Sequence, residues 1–92
     1  MTSRPMASYE LQFKRSVRKD LRAIPNADVR RILLSIEGLQ DEPRPPGCEK
    51  LTGSERYRIR CGVYRILYEI IDQRLLVIVV KIAQRKQAYR TA

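Results

Sequence analysis

The sequence predicts an α+β domain of order β-α-α-β-β-β: a two-helix hairpin packed on a small, antiparallel-dominated sheet, with a short C-terminal helical tail. Three observations carry this. The spacing of apolar residues changes from two to between three and four near Phe13 and returns to two at Tyr57. Prolines stand where the helical spacing ends, at Pro25 and Pro43. Ninety-two residues suffice for one core and not for two.

Each element follows from its residues. Residues 1–6 read as a flexible leader ahead of a single domain over 7–92, and Met6 competes with Met1 as the start. From Ala7 to Phe13, Tyr9, Leu11 and Phe13 alternate with Ser8, Glu10 and Gln12, the pattern of a half-buried strand. Phe13, Val17, Leu21 and Ile24 then recur at helical spacing among Lys14, Arg15, Arg18, Lys19 and Arg22, which predicts an amphipathic helix ended by Pro25. Asn26 is placed to cap a second helix, whose stripe is Val29, Ile32, Leu33, Ile36 and Leu39. Residues 43–56 read as a loop. Tyr57, Ile59 and Cys61 then alternate with Arg58 and Arg60, and Gly62-Val63 suits a type II′ turn. Tyr64, Ile66, Tyr68 and Ile70 continue the alternation, and Asp72-Gln73 makes a second turn. Leu75 to Ile82 is apolar on both faces at its centre and reads as a central, doubly covered strand.

Composition narrows the function. With no histidine, imidazole acid–base chemistry, histidine-led metal sites and Ser-His-Asp triads are excluded. Cys48 and Cys61 lack CxxC spacing and read as free thiols. The longest apolar run is far too short to span a bilayer and no signal peptide is visible, so a cytoplasmic location is expected. The net charge is +9, and fourteen of the nineteen cations are arginine, the residue suited to planar, bidentate phosphate contacts. The charge is concentrated toward the C-terminal third, which points to nucleic acid or an acidic protein as partner.

The hairpin concentrates it further. A turn at Gly62-Val63 sets Arg60 opposite Arg65, Arg58 opposite Leu67 and Arg56 opposite Glu69, with Arg58 and Arg60 on one face. Guanidiniums so placed repel unless an anion sits among them or their side chains fan out into solvent. A one-residue slip of register would separate them.

The runs Leu51-Thr52-Gly53, Tyr57-Arg58-Ile59-Arg60-Cys61-Gly62-Val63-Tyr64-Arg65-Ile66-Leu67-Tyr68-Glu69-Ile70 and Val79 to Arg90 resemble the RelE/ParE superfamily of bacterial toxins, and the tail resembles its RelE branch. The resemblance covers nearly the whole chain and agrees with the element order. It implies the toxin of a type II toxin–antitoxin system: a ribosome-dependent endoribonuclease that cuts mRNA in the A site without a cofactor, inhibits translation, and is neutralised by a cognate acidic antitoxin in a hetero-oligomer. It carries catalytic roles to Arg58, Arg60, Arg65, Arg85 and Tyr89, the last stacking on a base; the charge and position of Lys81, Arg90 and Arg56 make them, apart from the resemblance, the expected substrate-binding residues. The chain departs from the family where its best-studied members have a lysine pair and this one has Arg58 and Arg60. It also has Val63 where an acidic turn residue is expected, and Gln84 where histidine or lysine is common. Arginine is a poor general base, so catalysis is expected to be electrostatic and geometric. The competing expectations are a ParE-like inhibitor of DNA gyrase, a non-catalytic nucleic-acid-binding protein, and a degenerate toxin that retains only its antitoxin.

Overall fold

The alternating run from Tyr57 to Ile71 forms the hairpin at the centre of the sheet. In the computed structural model, which describes residues 8–84, the elements are β1 (Glu10–Phe13), α1 (Arg15–Arg22), α2 (Asn26–Gly38), β2 (Glu49–Lys50), β3 (Arg56–Cys61), β4 (Tyr64–Ile71) and β5 (Leu76–Gln84). The sheet order is β1-β5-β4-β3-β2. β1 runs parallel to β5, and the other neighbours are antiparallel. The expected α+β class and the two helices on the sheet are what is found. α1 lies against β5 and α2 against β3.

Exposure alternates strictly along β4: Tyr64, Ile66, Tyr68 and Ile70 are buried, with Arg65, Leu67, Glu69 and Ile71 half-buried between them. The buried set meets Val17 of α1, Ile32 and Ile36 of α2, and Val77 and Val79 of β5 in one core. β5 is interior, as its apolar centre requires. Beyond Phe13 its edge is no longer covered by β1, and the Asp20 carboxylate of α1 accepts a hydrogen bond there from the Ile82 N–H at 3.1 Å.

Five local expectations are corrected. Residues 43–56 are not all loop: Glu49–Lys50 pair with Arg58 and Tyr57 as β2, a strand too short to show a period. Asn26 is the first residue of α2 rather than its cap. Pro25 occupies that place with φ −58°, and its carbonyl accepts from the Asp28 and Val29 amides. Phe13 ends β1 and is 43% exposed. The ladder continues past it through Lys14 N–H to the Val79 carbonyl at 2.9 Å, so the helix cannot start before Arg15. The β4–β5 connection is longer than Asp72-Gln73: a 3₁₀ turn, Asp72–Arg74, is followed by Leu75 at φ 49°. That left-handed residue reverses the chain, and β5 therefore begins at Leu76. The leader and the helical tail lie outside the described residues.

Two polar contacts fasten the long loop to this frame. Tyr68 is fully buried and donates its hydroxyl to the Pro43 carbonyl at 2.8 Å. Burial, with the Cys48 thiol beside it, holds the phenol well above its ordinary range. At the surface, Asp72 accepts from Tyr9 Oη at 2.7 Å and from both terminal nitrogens of Arg44, at 3.3 and 2.8 Å. Arg44 also donates to Tyr57 Oη and lies 5.1 Å over that ring. Asp72 thus joins the segment before β1, the loop and the β4–β5 turn.

Removing the Tyr68 hydroxyl leaves the Pro43 carbonyl without its partner. Tyr68→Phe should lower unfolding free energy by about 1–2 kcal/mol in urea titration, at unchanged m-value. The hydrogen bonds from Arg44 and then Tyr9 hold the Asp72 carboxyl below its ordinary range. A depressed carboxyl stabilises the fold above its unfolded pKa, and that contribution is lost as pH falls through the folded pKa. Melting temperature should therefore drop on the acid side of pH 4, and Asp72→Asn should flatten that limb while lowering the plateau near neutrality.

Candidate nucleic-acid interface

Gly62 has φ +63° and Val63 a negative φ, so the backbone turns at glycine, as a type II′ loop requires. Cys61 then pairs with Tyr64, Arg60 with Arg65, Arg58 with Leu67 and Arg56 with Glu69. The sheet face turned away from the core thus carries Arg56, Arg58 and Arg60 on β3 and Arg65 on β4. Arg60 is exposed, and Arg58 and Arg65 are half-buried.

The four are not electrostatically alike. Arg56 Nε donates to Glu69 at 3.1 Å, an ion pair between an exposed and a half-buried group. Arg58 donates through Nε at 3.1 Å and through a terminal nitrogen to the same oxygen of Glu49. Neither Arg60 nor Arg65 is in an ion pair among the described residues. Arg65 Nε is, among those residues, the one buried side-chain nitrogen or oxygen with no hydrogen-bond partner. An unpartnered buried donor of a charged group costs about 1–3 kcal/mol or more.

Glu49 is the functional-face residue that sequence reasoning missed. The hydrogen bond from Arg58 holds its carboxyl below the usual range, helped by the charge of Arg58 and, more weakly, of Arg60 and Arg65. The available signal was compositional: residues 25–56 hold six of the ten acidic groups, so a counter-ion beyond Glu69 was to be sought there. Beside the cluster, the loop and the end of α2 enclose a cavity of about 600 Å³ lined by Ser35, Leu39, Pro45, Glu49 and Arg60 among others.

Lys81 lies opposite Leu67, just before the register shift, and its Nζ is 3.8 Å from Asp20. It is thereby drawn toward α1 rather than toward the arginines. Gln84, the last described residue, is opposite Tyr64, and Ala83 is opposite Arg65, so β5 ends at the arginine end of the sheet. Arg85, Tyr89 and Arg90 lie outside the described residues. Chemically, the face offers two guanidiniums without ion pairs among the described residues, across adjacent strands, and such groups can bind planar or tetrahedral oxyanions. No helix among the described residues is long and apolar enough to cross a membrane.

Comparison with known proteins agrees with this geometry. The family described as ParE toxins of type II toxin–antitoxin systems, parDE, matches residues 11–89. A Methanocaldococcus jannaschii protein provisionally named toxin RelE1 is 29% identical over 86 residues, spanning 89% of this chain and 96% of its own. The crystal structure of the archaeal RelE–RelB complex from Pyrococcus horikoshii contains a chain 30% identical to this one, with a TM-score of 0.77 over 85% of this chain and 96% of that one. The RelB–RelE antitoxin–toxin complex from Methanococcus jannaschii gives 29% identity and a TM-score of 0.71, over 88% and 98%. The resemblance read from the hairpin is thus met by sequence and fold together: the chain is a RelE-like protein that belongs to the ParE toxin family of type II toxin–antitoxin systems.

Proposed function

We propose that this toxin is a metal-independent endoribonuclease that cuts mRNA in the ribosomal A site and so inhibits translation. The observation that supports it is the pair Arg60 and Arg65, directly opposite each other, without carboxylates, one of them with an unpartnered buried Nε. In this reading they bind the scissile phosphate and stabilise the charge that develops on it. Arg58, oriented by Glu49, lowers the pKa of the attacking 2′-OH. The 2′-oxygen forms a bond to phosphorus as the bond to the 5′-oxygen breaks, leaving a 2′,3′-cyclic phosphate and a 5′-OH. The 2′-OH proton passes to water, because Glu49 is a weakened base, and the leaving 5′-oxygen takes its proton from water. By the family resemblance, Arg85 supports the leaving oxygen and Tyr89 stacks on a base to hold the in-line geometry; by charge and sequence position, Arg56, Lys81 and Arg90 contact the flanking strand. With arginine in place of lysine, orientation by the ribosome carries much of the rate.

The same reading gives the toxin an acidic antitoxin that folds over it, as the RelE–RelB complexes suggest. The net charge of +9 makes that association salt-sensitive. The ParE name of the matching family favours one rival, inhibition of DNA gyrase, which predicts gyrase-dependent DNA breaks and no RNA product.

Single-turnover cleavage on programmed ribosomes separates the two. Arg65→Ala and Arg60→Ala should each slow the chemical step by on the order of 10²-fold. Full activity in both would remove the site assignment. An mRNA with a 2′-deoxy residue at the cut position should resist the enzyme, and its cleavage would exclude 2′-OH attack.

A further inference from the structure

A second cationic surface lies on α1 and is not used by the reaction above. Lys14, at its N-cap, and Arg15, Arg18, Lys19 and Arg22 within it are all exposed. At 100° per residue the four within the helix fall within a single arc of about 100°, turned away from the buried Val17. None of the five is in an ion pair among the described residues. The one acidic residue of α1, Asp20, is committed to β5 through Ile82 N–H and Lys81. The arrangement opposes helix stability in two ways. Arg15 with Arg18 and Lys19, and Arg22 with Arg18 and Lys19, are like charges at i,i+3 or i,i+4. The first turn contains no acid, although the positive end of the helix dipole favours one there. Solubility alone is served by any mixed charged face, so this uniform one calls for a polyanion.

We infer that the basic face of α1 docks the phosphate backbone of duplex RNA. α1 covers the core side of the sheet, whereas Arg58, Arg60 and Arg65 project from the other side, so the two surfaces meet different RNA segments: a single strand at the arginines and a helical segment at α1. Arginines spaced one helical turn apart suit phosphates along a groove edge and read no sequence. The inference deepens the ribonuclease reading but does not require cleavage.

The test is fluorescence anisotropy of a labelled RNA hairpin with a 16-base-pair stem, titrated with the whole chain across salt concentrations. The variant is Arg15→Gln/Arg18→Gln/Arg22→Gln, which keeps helix-forming residues. Its affinity for the hairpin should fall about tenfold or more, and the slope of log K against log salt should become shallower by about 2–3, one phosphate contact per arginine removed. Far-ultraviolet circular dichroism should be unchanged and the melting temperature equal or higher, since repulsion has been relieved. Arg60→Ala, by contrast, should lower the slope by no more than the one phosphate contact removed, whether or not RNA is cleaved, which keeps failure here distinct from failure of the ribonuclease reading. Unchanged affinity and slope in the triple variant would overturn the inference. So would a loss confined to poly-glutamate as probe, which would assign the face to an acidic protein.

Discussion

The β3–β4 register is the constraint on which the rest depends. Because side chains alternate, the pairing that buries Tyr57, Ile59, Ile66 and Tyr68 also puts Arg58, Arg60 and Arg65 on the opposite face. Fully burying side chains of this kind is worth about 1.5–3 kcal/mol each. Setting Arg60 opposite Arg65 costs on the order of 0.2–1 kcal/mol. The core outweighs the repulsion several-fold, so the arginine face is tolerated as the other side of a well-packed hairpin. A slip by one residue would exchange the two faces and bury guanidiniums in an apolar layer. Gly62, in the left-handed region, fixes the choice locally.

This explains what was legible in the sequence. The hairpin could be read residue by residue because its period, its glycine turn and its pairing all lie within fifteen consecutive positions. The helices could be read from their stripes and their prolines. What escaped was set by distant partners or by backbone geometry. Phe13 satisfies both the strand and the helix pattern, and only the hydrogen bond from Lys14 to Val79 decides between them. Leu75 takes a conformation that glycine or asparagine usually signals. Asp72 looks like an ordinary turn residue, yet it joins Tyr9 and Arg44, 63 and 28 positions away. β2 has two residues and no period at all.

β2 also shows why the site was only half legible. The arginines belong to the local hairpin and were visible, as was Glu69, which stands opposite Arg56; Glu49, the counter-ion of Arg58, belongs to a segment folded against the hairpin and was not. Arg44 is engaged by Asp72, Arg56 by Glu69 and Arg58 by Glu49. These are pairs between partly exposed groups, each worth little to stability. Their effect is positional: they fix three guanidiniums and lower the net charge around them. The carboxylate of Glu49 also stands where a phosphate could stand, so an incoming strand meets Arg58 already oriented.

Among the described arginines of the outer face, Arg60 and Arg65 are then the two without an ion pair. The pattern of paired and unpaired arginines, more than the count of arginines, narrows a diffuse basic surface to one position across two strands. In the proposed reading such a position suits a single phosphate: two forked donors stand on opposed residues, with Cβ atoms about 4.5–5.5 Å apart. The basic composition alone points to a polyanionic partner of any kind. In that reading the internal carboxylates, by occupying Arg56 and Arg58, narrow where on the sheet one phosphate would be held.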